Sequence, residues 1–403
     1  MAHATHDLNE VPFGFDELFF SRTDETGIIK FGNDVFQRVA IYEWDELINK
    51  PHKIIRHPDT PRAVFRLLWD TIKSGAPIGA YVKNRAKDGR YYWVFAIVTP
   101  VEHGFLSVRL KPSSEVFKVV RQLYPDLAAV ERQEKLDPGD SAAVLLDRIA
   151  GLGFETYPAF MAAAFGKDLA ARDAQLGRPA DPTLEHFERL LDSARRLQRQ
   201  AGRIIDAYKL NEIVPTNFRI LASQLGQEGA AIGVISNNYA VLSEEMRSIL
   251  DTFVSAAKDV ERAISDGYFM VATARVQREL VEHFAEEADT AANITEMDLL
   301  SRQRAAYIAR AKAGLQDIGI KVAGFRQSCL EMNRLATGLE VMRVIGKVEC
   351  SRHVAVKDRV DKLLGDLQIF QRTIAGALLE IGVVNETIET ETGLLIEEAE
   401  AAA

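Results

Sequence analysis

The segment Pro51-His52-Lys53-Ile54-Ile55-Arg56-His57-Pro58-Asp59-Thr60-Pro61 concentrates two imidazoles, a guanidinium and a carboxylate in one short stretch. Three prolines stiffen it, so its polar groups lose little entropy when they are presented to a ligand. A helix is expected to start immediately afterwards, and helix N-termini favour anions. Arg56 and His57 could therefore meet a phosphate or hydrogen-bond a ring carbonyl. The structural alternative is a capped loop, with Asp59 serving the helix N-terminus and Arg56 paired at the surface. A metal site built from His52, His57 and Asp59 is a third possibility, but no other ligand stands at a recognised spacing.

The elements around this loop follow from local signals. Residues 18–31 hold two β-prone runs flanking Asp24-Glu25-Thr26-Gly27, a hairpin turn. Asn33-Asp34 caps a short helix, and Glu43 begins another turn of helix. Residues 61–75 form a helix with Pro61 in its first turn and Gly75 just beyond its end. Residues 78–98 hold two strands joined by Arg85-Ala86-Lys87-Asp88-Gly89, and Gly104–Leu110 forms a last strand. The order predicts an α+β domain, an antiparallel five-stranded sheet with short helices and one covered face. Tyr91, Tyr92 and Trp93 alternate, so at least one faces the covered side.

Composition separates this region from the rest. All 13 prolines lie at or before Pro215, and all three tryptophans at or before Trp93. Residues 113–180 read as a helical connector broken by Pro125, Pro138, Pro158 and Pro179. Long helices follow. Leu242, Met246, Ile249, Phe253, Ala256, Val260 and Ala263 alternate steps of four and three. Val360, Leu363, Leu367, Phe370, Ile374, Ala377, Ile381, Val384 and Ile388 do the same. Such a 3.5-residue repeat predicts an all-α coiled-coil or helical bundle.

The chain has 403 residues and a formal charge of −9. Residues 1–117 balance, with 15 Lys/Arg and 15 Asp/Glu, so the excess charge lies in the helical part. No basic block favours nucleic acid. Two cysteines, Cys329 and Cys350, cannot build a disulfide framework and fit a reducing compartment. The N-terminus lacks a signal peptide, and no uncharged apolar run reaches about 18 residues. The expectation is a cytoplasmic protein with no membrane span. No dinucleotide fingerprint, P-loop or Ser-His-Asp order is visible, which argues against an enzyme.

The run PHKIIRHPDTP, then FRLLWDTIKSG, then VKNRAKDGRYYWV resembles the PAS domain of bacterial aerotaxis receptors. The resemblance covers a quarter of the chain, residues 10–115. It implies non-covalent FAD as cofactor, with the flavin's redox state as the signal. Residue by residue, it implies flavin contacts at Asn33, Arg56, His57, Asp59, Phe65, Trp69 and Asn84. Aromatic walls and a few polar partners suit a flat ring with one polar edge.

Residues 217–247 resemble the hairpin tip of methyl-accepting chemotaxis receptors. The matches are Asn217, Leu221, Ala222, Glu228, Ala230, Gly233, Ala240, Val241, Glu245 and Arg247. Ala231, Val234, Ser236 and Asn238 depart from positions that help engage the chemotaxis histidine kinase and its coupling protein. Asn238 can still occupy a left-handed turn. A fainter echo stands at Glu349-Cys350-Ser351-Arg352, and two such hairpins would let one chain build a four-helix bundle. The resemblances imply three parts: a sensor (10–115), a connector (116–180) and a signalling bundle (181–398). They imply a redox or oxygen sensor in aerotaxis-type signalling, homodimeric or receptor-associated. A docking or dimerisation domain with no cofactor, or with haem, is the alternative. A flavoenzyme is a further one.

Overall fold

In the computed structural model, residues 9–286, 291–350 and 357–401 are described. The strands are β1 (Phe19–Thr23), β2 (Ile29–Gly32), β3 (Ile78–Arg85), β4 (Tyr91–Val101) and β5 (Gly104–Leu110). They form one antiparallel sheet in the order β2-β1-β5-β4-β3. Short helices α1 (Asp34–Ala40) and α2 (Trp44–Leu47), a 3-10 turn at His52–Ile55 and helix α3 (Arg62–Lys73) lie between β2 and β3. This is the predicted α+β arrangement.

Local chemistry sets the elements. Gly27 has φ 81°, and its N–H donates to the Asp24 carbonyl at 3.0 Å, closing the β1–β2 turn. The Asn33 side chain accepts from the Phe36 N–H at 3.2 Å and caps α1. Pro61 precedes α3 and offers no side-chain cap, so Glu131 from a later helix accepts the Ala63 N–H at 3.2 Å.

Helices α4 (Glu115–Gln133), α5 (Pro138–Gly151) and α6 (Tyr157–Leu176) follow the sheet. Pro138 and Pro158 open α5 and α6, where a missing N–H costs nothing. Pro125 does not break its helix as expected. It lies inside α4, on a half-exposed side, between buried Tyr124 and Leu127. Packing on that buried face outweighs one lost backbone bond.

The remaining helices are α7 (Pro182–Asn211), α8 (Val214–Gln224), α9 (Ala230–Glu286), α10 (Ala291–Cys350) and α11 (Lys357–Ala401). The chain divides into two compact units, Met1–Glu185 with Ser265–Lys312, and His186–Ile264 with Ala313–Ala403.

In the first unit both faces of the sheet are covered, where one was expected. One face looks toward α1 and α3. The other carries Phe95, which stacks on Phe165 of α6 at 5.0 Å, and Phe20, which meets Phe284 of α9 edge-on at 5.3 Å. Tyr92 and Trp93 are therefore both buried, on opposite faces. Thr99 Oγ1 accepts from the Tyr307 hydroxyl of α10 at 3.1 Å, and Arg22 Nε donates to Glu296 at 2.7 Å.

In the second unit four helices pack side by side. Phe253 of α9 meets Phe325 of α10 at 4.6 Å, and Arg343 of α10 bonds Gln371 of α11 at 2.8 Å. Arg189 of α7 bonds Glu391 of α11 at 2.9 Å, and the Tyr208 hydroxyl of α7 donates to the Ser243 carbonyl of α9 at 3.1 Å. The α11 column from Leu367 to Ile388 is buried as its heptads predict. The α9 column has another phase: Met246, Leu250, Phe253, Ala257, Val260 and Ile264 are buried, not Ile249, Ala256 and Ala263. Residues Asp361–Glu398 are also long and apolar enough to cross a membrane by length and composition, although 39% of that window is buried within the fold.

The reversal near the receptor-like tip comes earlier than predicted. A 3-10 turn at Gly226–Gly229, with Gly226 at φ 58°, joins α8 to α9. Ser236 and Asn238 are helical, and the Ser236 hydroxyl donates to the Pro215 carbonyl at 2.7 Å. The second echo runs into Ser351 and Arg352, which lie outside the described residues.

Candidate functional site

A cavity of about 300 Å³ lies between α3 and the inner face of the sheet. That volume is at the lower end of the range for small-molecule sites. Strand alternation builds its floor: Ser21 and Thr23 on β1, Val82 and Asn84 on β3, Ser107 and Arg109 on β5 point to the same face. Helix α3 supplies Phe65, Leu68, Trp69 and Ile72 at helical spacing, and the 3-10 turn brings His52 and Lys53.

Four of the seven predicted contact residues line this cavity: Arg56, Phe65, Trp69 and Asn84. The Arg56 guanidinium lies 3.9 Å from the Phe65 ring centroid, a cation–π contact. Trp69 meets Phe105 edge-on at 5.6 Å. Arg56 and Asn84 are joined by a backbone bridge, which brings the two residues together in the cavity lining.

Asn33, His57 and Asp59 do not line it. The Asn33 carboxamide is engaged, since it accepts from the Phe20 N–H at 2.9 Å and donates to the Leu18 carbonyl at 2.8 Å. His57 Nδ1 accepts from the Asp59 N–H at 3.1 Å, and its ring packs edge-on against Tyr91. Asp59 pairs with Lys83 at 2.8 Å, so it does not cap α3. Thr60 Oγ1 donates to the Lys83 carbonyl at 2.8 Å and accepts from its N–H at 3.0 Å. Together these bonds staple the His57–Thr60 loop to β3, one residue before Asn84. Their contribution is to position Arg56 and Asn84.

The floor holds residues that sequence reasoning missed. Arg109, buried beneath the cavity, bonds Ser21 Oγ at 2.9 Å and His52 Nε2 at 2.6 Å. Burial, and then the neighbouring Arg109 charge, depress the His52 imidazole to about 3, so it is neutral and accepts from the guanidinium. Burial also lowers Arg109 itself to about 10. The signal for these residues was the polar column Ser107 and Arg109 on an otherwise apolar strand. It reads equally as a solvent-facing column.

Several polar atoms of this wall are buried without a protein partner: Asn84 Nδ2, Ser107 Oγ and Arg109 Nη1. An unmade hydrogen bond at a buried donor costs about 1–3 kcal/mol. Their accumulation at one cavity suits a ligand that would supply acceptors. With aromatic side chains opposite, the wall fits a flat ring carrying carbonyl or ring-nitrogen acceptors, which is the outline of an isoalloxazine. Among the described residues, no group of three or more His, Cys, Asp or Glu is placed to hold a metal.

Comparison with known proteins agrees with the fold. Residues 29–106 match the family described as PAS fold. The chain is similar to the aerotaxis receptor of Escherichia coli (strain K12), with 36% identity over 143 residues, 34% of this chain and 28% of that protein. It is similar to the nitrogen fixation regulatory protein of Klebsiella pneumoniae, with 31% identity over 81 residues, 20% of this chain and 16% of that protein. Among solved structures, the PAS domain of a Colwellia psychrerythraea protein aligns at 16% identity. It covers 23% of this chain and 85% of that one, with a TM-score of 0.22. The chain thus spans under a third of the length of these curated relatives, and the N-terminal part is a PAS domain.

Proposed function

We propose that this protein is a redox or oxygen sensor that binds FAD in the cavity of its PAS domain and relays the flavin's state through its helical bundle. It signals, and turns over no substrate. The observation that carries this is the set of unpartnered buried donors at Asn84, Ser107 and Arg109 facing Phe65 and Trp69. The similarity to an aerotaxis receptor over this region supports it.

Bound flavin would supply a reversible change of charge and hydrogen bonding on reduction. Asn84 and Ser107 would bind the ring's polar edge, with Arg109 held beneath them by Ser21 and neutral His52. Phe65 and Trp69 would orient the ring and exclude water. The same strands carry Arg22 and Thr99 on the opposite face, against α10, so a shift of the floor is felt one side chain away. The bundle's helix packing is the two-state element. Aerotaxis-type partners, the chemotaxis histidine kinase and its coupling protein, and homodimerisation in the cytoplasm belong to the same proposal.

The test is the absorption spectrum of the purified full-length protein. Flavin bands that fall in the Asn84→Ala and Arg56→Ala variants are expected. A colourless protein, a haem spectrum, or undiminished flavin in the combined variant would overturn this assignment.

A further inference from the structure

The geometry points to a second small-molecule site, separate from the first. A cavity of about 430 Å³ lies among α3, the start of β3, the α5–α6 connection and the α9–α10 pair. All of these segments belong to the first compact unit. Its wall is mostly apolar, with Ile78, Met161, Phe269 and Met270 prominent. Two thioethers and an aromatic ring make a soft, polarisable surface that favours aromatic ligands.

The polar groups narrow the ligand class. Glu155, Asp266 and Arg310 bring two acids and one base to the lining, a mixed set that gives an anionic ligand no advantage. The Ser265 hydroxyl is buried, only 1% of the residue is exposed, and it has no protein partner. A helical serine normally returns its hydroxyl to its own backbone. Among the described lining residues, Ser265 alone carries a buried side-chain donor with no partner, beside a mostly apolar cavity. The ligand it fits is an uncharged aromatic molecule with one carbonyl or hydroxyl group.

The two cavities share walls. Leu67 and Thr71 of α3 line the second, while Phe65, Leu68, Trp69 and Ile72 of the same helix line the first. On β3, Ile78 and Gly79 serve one, and Val82 and Asn84 the other. A molecule held in the second cavity therefore bears on a helix and a strand that shape the first. The site itself stands whether or not the first cavity holds flavin.

Equilibrium dialysis of the full-length protein against 2-naphthol, and against naphthalene as its oxygen-free counterpart, tests the site. Saturable binding of one molecule per chain is expected, with naphthol held about fivefold more tightly for its one hydrogen bond. Ser265→Ala should bring naphthol down to the naphthalene level. Leu146 lines the cavity and is 38% exposed, so Leu146→Trp closes the entrance without touching the core, and both affinities should fall at least tenfold. No saturable binding, or binding that neither variant alters, would overturn the proposal.

Discussion

Arg109 Nη2 lies 2.6 Å from His52 Nε2, beneath the cavity of the PAS domain. Arg109 is buried and His52 is half-buried against it, so the contact holds only while the imidazole is neutral. That requirement turns a local bond into a property of the whole domain.

Stability should fall on the acid side because of His52. Its folded value is about 3 against an ordinary 6.5, so between these limits the unfolded chain takes up a proton that the folded chain refuses. Its contribution is complete above 6.5 and is lost as pH falls toward 3. The slope from this one group is up to about 1.4 kcal/mol per pH unit. His52→Gln retains an acceptor but cannot titrate. Urea unfolding across that range should show a shallower acid slope in the variant and similar stability at neutral pH.

Asn33→Ala should act on folding and leave ligand affinity alone. The substitution removes the α1 cap and strands the Phe20 N–H and the Leu18 carbonyl. Cap loss with newly unsatisfied buried groups should cost about 2–4 kcal/mol in chemical denaturation. Variants still folded should bind FAD, the proposed ligand, as the unsubstituted chain does, which titration with FAD checks.

Arg22→Met should destabilise the sheet's contact with α10. The Glu296 side chain is 3% exposed and pairs with Arg22, which is about one-third exposed. Burial raises the Glu296 carboxyl, and Arg22 pulls it back toward ionisation. Removing the partner should cost about 2–3 kcal/mol near neutral pH. The deficit should shrink as pH falls and Glu296 takes a proton. Adding Glu296→Gln should recover most of it, and a double-mutant cycle measures the coupling.

Gly166→Ala should be among the most damaging small substitutions. A Cβ at Gly166 would run into the Tyr268 ring, which is itself 1% exposed. Overpacking of this kind costs about 1–3 kcal/mol or more. Tyr268→Leu in the same chain should restore part of the melting temperature, which identifies the clash as the cause.

Much of the PAS domain was legible because each reversal carries its own chemistry: Asp24 to Gly27, Asn33 as a cap, Pro61 before α3. The phase of the α9 seam was not. Ile249 and Leu250, Ala256 and Ala257, Ala263 and Ile264 are adjacent apolar pairs, so two columns satisfy the same spacing. Only the neighbouring helices choose between them. The cavity floor was hidden for a related reason. Ser107 and Arg109 alternate with Leu106 and Val108 as they would on a strand facing solvent. A polar side chain directed into a cavity and one directed into water leave the same trace in sequence. His57 and Asp59 misled in the opposite sense, since a conspicuous motif proved to be the staple behind Arg56 and Asn84.

The covering of the sheet's outer face has a further consequence. Phe20 and Phe95 are sealed by rings from α6 and α9, and Phe284 stands well over a hundred residues beyond the last strand. The PAS domain is therefore not a cassette. Cutting the gene after the fifth strand, or even after Glu185, would leave a broad greasy panel exposed, which invites clumping or false pairing. Exchanging such a head between proteins would mean carrying residues 265–312 with it, across an intervening stretch that belongs to another unit. The two units are threaded through one another along the chain, so a single cut cannot free either of them whole.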